Sequence, residues 1–289
     1  MIGVLKPENA LTVDVEDYYQ VEAFSGTVDR ANWGGFESRV ERNTGNILDL
    51  FDQYEVKATF FVLGCVAKKS PSIVREIAAR GHEIASHGMS HKLIYTQAPD
   101  VFQQETRESK QLLEDQCQQP VIGYRAATYS ITGESLWALD ILHEEGFKYD
   151  SSIFPMQHDL YGIPDAEGLP HELKTPNGSS LVEFPISLAS FGKIKIPVAG
   201  GGYFRLFPYA ITRWGLERIN KEARPFVFYL HPWEIDPAQP KIEGAPLKSR
   251  FRHYLNLSRC EARLKLLLGD FRFTTMRNTL VQTGLVDSQ

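Results

Sequence analysis

The 289-residue chain is 43% hydrophobic and 23% charged, with a formal net charge of −5 at pH 7. This composition supports a sizeable buried core and, at this length, either two domains or one α/β barrel. The chain has no long basic run and no apolar run near the roughly 18 residues of a membrane-spanning helix. We therefore expect neither a nucleic-acid partner nor a transmembrane segment.

The cysteine pattern and the first residues bear on the compartment. Cys65, Cys117 and Cys260 are odd in number and widely spaced. They form neither a CxxC zinc pattern nor a disulfide framework, which favours a reducing compartment. The opening stretch MIGVLKPENALTVDVEDYY lacks the charged start and apolar stretch of a secretory signal. We expect a cytoplasmic protein, which is compatible with work at the inner face of the membrane.

Short apolar runs alternate with helix-like segments along the chain. The predicted strands are, in order, ALTVDV, KATFFVLG, HEIASH, PVIGYRAA, KYDSSI, SLVEFPIS and FVFYLHP. The predicted helices are NILDLFDQYEV, PSIVREIAARG, PDVFQQETRESKQLLEDQ, TGESLWALDILHEEGF capped by Thr132, YAITRWGLERINKEA and a long SRFRHYLNLSRCEARLKLLLGDF. The alternation, with strands free of charge in their middles, predicts parallel strands wrapped by helices.

Two irregular regions interrupt this pattern. Residues 155–180 are rich in Pro, Gly and His, and residues 192–208 contain AGGGYFRLFP. Both are longer than ordinary connections, which makes them candidate active-site loops. In the second region, Tyr203 and Arg205 are candidates for contacting a substrate, although its glycines equally suit a tight turn.

Polar side chains follow the predicted strands at the point where each strand ends. In α/β barrels the working residues lie at these ends, and buried unpaired charges are costly unless they meet each other or a metal. His87 and His91, four residues apart in EIASHGMSH, can reach one point from a tight loop or a helical turn. Together with a carboxylate from the first strand they would form a facial metal-ligand set. The strand-end residues are Asp14, Glu16, Asp17, His87, His91, Arg125, Asp150 and His231.

Several motifs make the sequence resemble the polysaccharide deacetylases with a NodB-type domain, the family 4 carbohydrate esterases. HGMSH matches the family's His-x-x-x-His motif, and FYLHP matches its later histidine motif. LTVDVED matches the first motif in part, because Val15 stands where a second aspartate is usual. YRAATY matches through Arg125, with Ala127 where proline is common. The resemblance covers about residues 10–235, and VDVEDYYQVEAF and YDSSIFP look most like the group found in exopolysaccharide and exosortase-linked loci.

The resemblance implies a fold and a set of roles. The fold is a distorted (β/α) barrel of about seven strands, in a single domain over 1–289 with a core at about 10–235 and a C-terminal helical extension at about 236–289. One divalent metal ion, with zinc favoured, would be held by His87, His91 and either Glu16 or Asp17. Asp14 would be the general base, paired with Arg125. His231 would be the general acid, oriented by a carboxylate such as Asp150.

The resemblance also implies a substrate and residues that contact it. The expected reaction removes N-acetyl groups from N-acetylhexosamine units of a polysaccharide or a lipid-linked precursor. A backbone N–H near Thr128, beside Tyr129, would stabilise the oxyanion. Trp233 either forms a platform for a hexose ring or only packs the barrel mouth.

Two other functions remain open at this point. One is an amidohydrolase of the same fold that acts on a cyclic amide, an imide or a formamide, which the altered first motif permits. The other is a non-catalytic carbohydrate-binding module, which the retained histidines and aspartate disfavour.

Overall fold

A computed structural model describes residues 7–192 and 194–287. The strands are β1 (Asn9–Val15), β2 (Thr59–Val62), β3 (Glu83–Ser86), β4 (Gly123–Tyr124), β5 (Tyr149–Asp150), β6 (His171–Lys174), β7 (Ser180–Glu183), β8 (Leu188–Phe191), β9 (Ile194–Pro197), β10 (Val227–Leu230) and β11 (Phe273–Thr274). The helices are α1 (Val40–Gln53), α2 (Gly64–Lys69), α3 (Pro71–Ala79), α4 (Pro99–Cys117), α5 (Trp137–Glu144), α6 (Gly201–Leu206), α7 (Tyr209–Lys221), α8 (Leu247–Tyr254), α9 (Leu257–Asp270) and α10 (Met276–Gln282).

The main sheet has the strand order β10-β1-β2-β3-β4-β5-β7-β6. All neighbours from β10 to β7 are parallel, and β6 runs antiparallel at the edge. β8 and β9 form a separate antiparallel hairpin. The predicted distorted (β/α) barrel of about seven strands is confirmed, because seven parallel strands form a curled half-barrel in a mixed α/β fold.

The inner strands are buried throughout, as their sequences require. Every residue of β1, β2 and β10 is buried, and each run is apolar except at positions that face other polar groups. Strands covered on both faces read as near-continuous hydrophobic runs. The register pairs Val13 with Leu230 and with Phe60, so the residues that follow β1, β3 and β10 emerge at one edge of the sheet.

The C-terminal segment differs from the prediction in two ways. The single long helix is wrong: α8 and α9 are separated by Asn256, which has a left-handed φ of 54° that a continuing helix cannot contain. The segment is also not purely helical, because β11 pairs in parallel with β1 at Asn9 and Ala10. This segment therefore adds a strand to the main sheet.

The helix predicted to start near Thr132 begins later, at Trp137. It follows turns in which the Ser135 hydroxyl donates a hydrogen bond to the Ser130 carbonyl. Over the described part of the chain, we find no helix with the length and apolarity to cross a bilayer.

Candidate metal and acid–base site

Three predicted metal ligands meet at the edge of the sheet where β1 and β3 end. Glu16, His87 and His91 are each buried, and one ligand atom from each lies within 4.8 Å of the others. Two imidazoles and one carboxylate leave open positions on an ion for water and substrate. The structure thus brings together the residues that the His-x-x-x-His spacing indicated.

The loop between the two histidines turns tightly enough to bring both rings to one point. Gly88 has a φ of +76°, and its carbonyl accepts a hydrogen bond from the Gly64 amide. His91 has a φ of +52°, and its carbonyl accepts from Arg30 Nη2 at 2.8 Å. A non-glycine residue in this region is held there by its surroundings. The spacing is therefore realised in a loop, not in a helical turn.

The chemistry of the donor set fits a divalent cation. His87 Nδ1 lies 2.8 Å from the carbonyl oxygen of Arg125, so Nδ1 carries the hydrogen and Nε2 is free as a ligand. His91 Nε2 lies 2.7 Å from Glu16 Oε2, yet that buried oxygen has no aligned hydrogen-bond donor. These two atoms would therefore be available as ligands of one divalent ion.

The protonation states also suit metal binding. Burial lowers the pKa of His87 to about 4, so the imidazole is neutral at pH 7. Burial opposes ionisation of Glu16, but the neighbouring imidazoles of His91 and His231 outweigh it and lower the pKa to about 2. A neutral imidazole and an ionised carboxylate are the forms that bind metal.

The other candidate carboxylate, Asp17, is engaged in hydrogen bonds at the start of α1. Its carboxylate accepts from the backbone N–H groups of Tyr18, Arg39 and Val40 and from the hydroxyl of Ser38 at 2.7 Å. These bonds satisfy the N-terminus of α1. Of the two candidate carboxylates, only Glu16 lies in the cluster with His87 and His91.

Asp14 and Arg125 form the predicted ion pair. Arg125 Nη1 donates to Asp14 Oδ1 at 2.7 Å and to Thr12 Oγ1 at 2.8 Å, and the arginine is fully buried. Arg125 Nε donates to the Ser151 carbonyl, and Nη2 donates to the Ser151 hydroxyl. Because Asp14 Oδ1 is engaged, Oδ2 is the atom that faces His231, 3.9 Å from Nε2.

His231 is oriented by Glu234 and not by Asp150. Glu234 Oε1 lies 2.8 Å from His231 Nδ1 and also accepts from the His231 backbone N–H. Nε2 therefore points toward Asp14 and toward Glu16 Oε1 at 3.7 Å. Burial lowers the pKa of His231, but the carboxylates of Glu16 and Glu234 outweigh it and raise the pKa to about 9. Sequence reasoning missed this role of Glu234. The signal was the spacing in HPWE, where an acid three residues after the histidine is typical of a capping box.

Asp150 instead pairs with a second buried acid. Its Oδ1 accepts from the Ser152 hydroxyl at 2.5 Å, and its register partner on β7 is Glu183. The Ser152 hydroxyl also accepts from the Ala126 backbone N–H. The orienting role predicted for Asp150 is wrong, because the side chain holds the segment behind Arg125.

Arg205 and Trp233 are structural supports and do not face an open groove. Arg205, predicted to contact substrate, is 3% exposed and donates to Glu234 Oε2 at 2.6 Å. Trp233, offered as a sugar platform, is 4% exposed and stacks between His231 and His253, with ring centroids at 5.1 and 4.2 Å. Its indole N–H donates to Glu16. Neither face of Trp233 is available to a hexose ring.

The predicted ligands open into a cavity of about 330 Å³, here called the main cavity. Thr128, with a φ of 55°, and Tyr129 lie on its wall, where they were predicted to be near substrate. Tyr203 lines an adjoining cavity instead. Sequence reasoning did not single out four wall residues: Tyr161, Lys248 and Arg252 lie outside the quoted motifs, and Tyr229 lies within FYLHP.

The fold and site define a class: a half-barrel whose strand ends hold a two-histidine, one-carboxylate set beside an Asp–Arg pair and an acid-oriented histidine. Residues 27–148 match a family model described as polysaccharide deacetylase. Residues 151–281 match a model described as a domain of unknown function, DUF3473. Residues 27–148, which are less than half of the chain, are thus similar to the polysaccharide deacetylases.

Part of the chain is also similar to a curated protein. A chitooligosaccharide deacetylase from Rhizobium leguminosarum bv. trifolii is 34% identical over 99 residues, which are 34% of this chain and 43% of that protein. The match therefore spans less than half of this curated relative.

Solved structures of low sequence identity share the fold. A Mycobacterium smegmatis protein provisionally described as a polysaccharide deacetylase has a TM-score of 0.63 at 21% identity, over 97% of this chain and 90% of the other. PuuE allantoinase has a TM-score of 0.62 at 14% identity, over 99% and 94%.

Proposed function

We propose that the protein is a metal-dependent hydrolase that removes N-acetyl groups from N-acetylhexosamine units of a glycan or its lipid-linked precursor. The observation that carries this proposal is that the Glu16–His87–His91 set shares one cavity with Asp14 and His231. The match of residues 27–148 to the polysaccharide deacetylase family supports it, as does the resemblance of VDVEDYYQVEAF and YDSSIFP to the exopolysaccharide-locus group.

Glu16, His87 and His91 would hold one divalent ion, for which we favour zinc because of the two imidazoles. Such an ion supplies Lewis acidity, which polarises an amide carbonyl and acidifies a coordinated water. Asp14 Oδ2, the oxygen not engaged by Arg125, would take the proton from that water. The buried guanidinium of Arg125 fixes the orientation of the Asp14 carboxylate.

His231 would deliver a proton to the leaving amine. Its Nδ1 is held by Glu234, so Nε2 faces Asp14 and Glu16 across the main cavity. A positioned imidazolium near the amide nitrogen is a general acid, and amines need this protonation to leave. Tyr129 and Thr128, on the same wall, would bound the space for the acetyl group.

The test is product analysis with the metal-loaded protein and oligomers of N-acetylglucosamine. We expect free acetate and free amine in equal amounts. Asp14→Asn is expected to keep its metal and lose about 10²-fold or more in kcat, as removal of a general base does. Hydrolysis of a cyclic amide or a formamide with no acetate from the oligomers would replace this proposal by the amidohydrolase. Full activity in Asp14→Asn would remove the assigned base.

A further inference from the structure

A second cavity of about 360 Å³ adjoins the main cavity and is here called the α8 groove. The two share part of their walls, so a ligand in one can continue into the other. The shared residues are Tyr161, Gly202, Tyr229, Lys248 and Arg252.

The α8 groove has an apolar wall that is open to solvent. Phe251 on α8 is 62% exposed and Leu206 on α6 is 47% exposed, and both line the groove. Leu247, one turn before Phe251 on the same helix face, is 81% exposed. Large aliphatic and aromatic side chains clustered at a groove mouth indicate a ligand with an apolar part.

Two cations lie beside the apolar residues Leu247 and Phe251 on α8. They are Lys248 and Arg252, which are also one helical turn apart. Within residues 7–192 and 194–287, neither side chain forms an ion pair or a hydrogen bond. Helix α8, LKSRFRHY, contains no acid, although the whole chain has a net charge of −5.

The α8 groove itself carries positive charge with no carboxylate in its lining, whereas Asp14, Glu16 and Glu22 line the main cavity. Burial lowers the pKa of His158 in the groove. The exposed Asp159 raises this pKa, and the nearby charges of Arg252 and Lys248 lower it. Unpaired lysine and arginine on a cavity wall suit a phosphate or another anion.

We propose that the α8 groove binds a lipid-linked acetylated sugar. The sugar would enter the main cavity, a phosphate would lie between Lys248 and Arg252, and the lipid chain would cover Leu206 and Phe251. The three parts of such a ligand follow one another in the same order as the three parts of the surface. The sugar matches the main cavity, the phosphate matches the shared cations, and the lipid chain matches the exposed apolar wall. The inference rests on the proposed function and specifies its substrate class.

Two other occupants fit less of the surface. An anionic polysaccharide would use the cations but would leave Leu206, Leu247 and Phe251 exposed. A membrane surface would use the apolar residues and the cations, but it would not account for their continuity with the main cavity. Both are outcomes that the experiment separates.

The experiment measures binding by calorimetry with four soluble probes, below their micelle concentrations. They are methyl N-acetylglucosaminide, N-acetylglucosamine 1-phosphate, dodecyl N-acetylglucosaminide and N-acetylglucosamine 1-(dodecyl phosphate). We expect the phosphate and the chain each to tighten binding about tenfold or more. The probe that carries both is expected to bind tightest.

Substitutions assign each gain to its residues. Arg252→Ala, alone and together with Lys248→Ala, is expected to reduce the affinity gained from the phosphate about tenfold. Phe251→Ser is expected to reduce the affinity gained from the dodecyl chain about tenfold. Matched controls on α9 are Arg259→Ala and Leu266→Ser, which change an exposed cation and a side chain that is 55% exposed. The controls should leave both gains intact. Equal effects of the α8 and α9 variants would overturn the proposal.

The remaining outcomes distinguish a lipid-linked sugar from the two other occupants. A phosphate gain without a chain gain indicates an anionic glycan and overturns the lipid assignment. Binding to anionic phospholipid vesicles that depends on Phe251 and Arg252, with no gain for the soluble probes, indicates a membrane-docking surface and also overturns it. Because binding needs no turnover, gains without acetate release would leave the groove assignment in place and reject the proposed function.

Discussion

The indole N–H of Trp233 donates a hydrogen bond to Oε1 of Glu16 at 3.1 Å, across 217 residues of sequence. Glu16 Oε1 is thereby held, and Oε2 is left to face His91. The FYLHPWEID motif thus contacts the candidate metal ligand through Trp233 and also supplies the candidate general acid, His231.

Trp233→Phe is expected to weaken metal binding about 10-fold or more, because partners that orient a metal ligand affect affinity on this scale. The ring would still fill the space between His231 and His253. Metal dissociation constants from a competing chelator check this. Trp214→Phe, at a tryptophan that is 51% exposed and stacked on Phe191, is the matched control. Equal affinity in both variants would show that the indole hydrogen bond has no part in holding the ligand.

Glu16→Gln and Asp17→Asn should separate a metal ligand from a structural carboxylate. Glu16→Gln is expected to lose metal affinity by about 10-fold or more. Asp17→Asn should keep its metal but lose about 1–3 kcal/mol of unfolding free energy, because its amide group would meet backbone N–H donors at the start of α1. Elemental analysis and urea unfolding are the two measurements. Retained metal in Glu16→Gln would place the ligand carboxylate elsewhere.

Glu234→Gln should move the basic limb of the kcat/KM profile to lower pH by roughly one unit. The carboxylate of Glu234 raises the pKa of His231, so a neutral amide in its place lets His231 lose its proton earlier. The acidic limb should stay in place, since Glu234 does not contact Asp14. A basic limb that does not move would mean that another group controls it.

The pair of Asp150 and Glu183 should make stability depend on pH. Burial raises the pKa of Asp150 to about 6, and burial with the charge of Asp150 raises that of Glu183 well above its usual range. A raised carboxyl pKa means that the native state holds the proton more tightly than the unfolded chain. This contribution is fully present below about pH 4 and is lost as the pH rises through 6 and beyond.

Glu183→Gln should flatten that dependence, because the amide resembles the protonated acid. Urea unfolding from pH 5 to pH 8 should therefore show the variant gaining stability relative to the wild type as pH rises. Glu172→Gln, at an exposed acid on β6, is the control and should run parallel to the wild type. If the stability of Glu183→Gln also changes with pH in parallel with the wild type, the native Asp150–Glu183 pair holds no extra proton.

The sequence by itself determined the fold class and brought out the two candidate metal histidines. Buried parallel strands need continuous apolar runs, and such runs are readable in ALTV, TFFV and FVFYL. His87 and His91 lie within one loop, so their spacing in the chain nearly fixes their spacing in space. Short-range patterns of this kind survive into the folded structure.

Tertiary structure alone decided which carboxylate serves which partner. Glu16 and Asp17 are adjacent in the chain, and only the backbone N–H groups at the start of α1 show that Asp17 is already occupied. Asp150 faces Glu183 because β5 pairs with β7, a contact that skips β6 in the chain. The α8 groove likewise depends on the break at Asn256, which sets α8 beside the main cavity. Hydrogen bonds and burial between distant segments have no local signature, so the sequence left these assignments open.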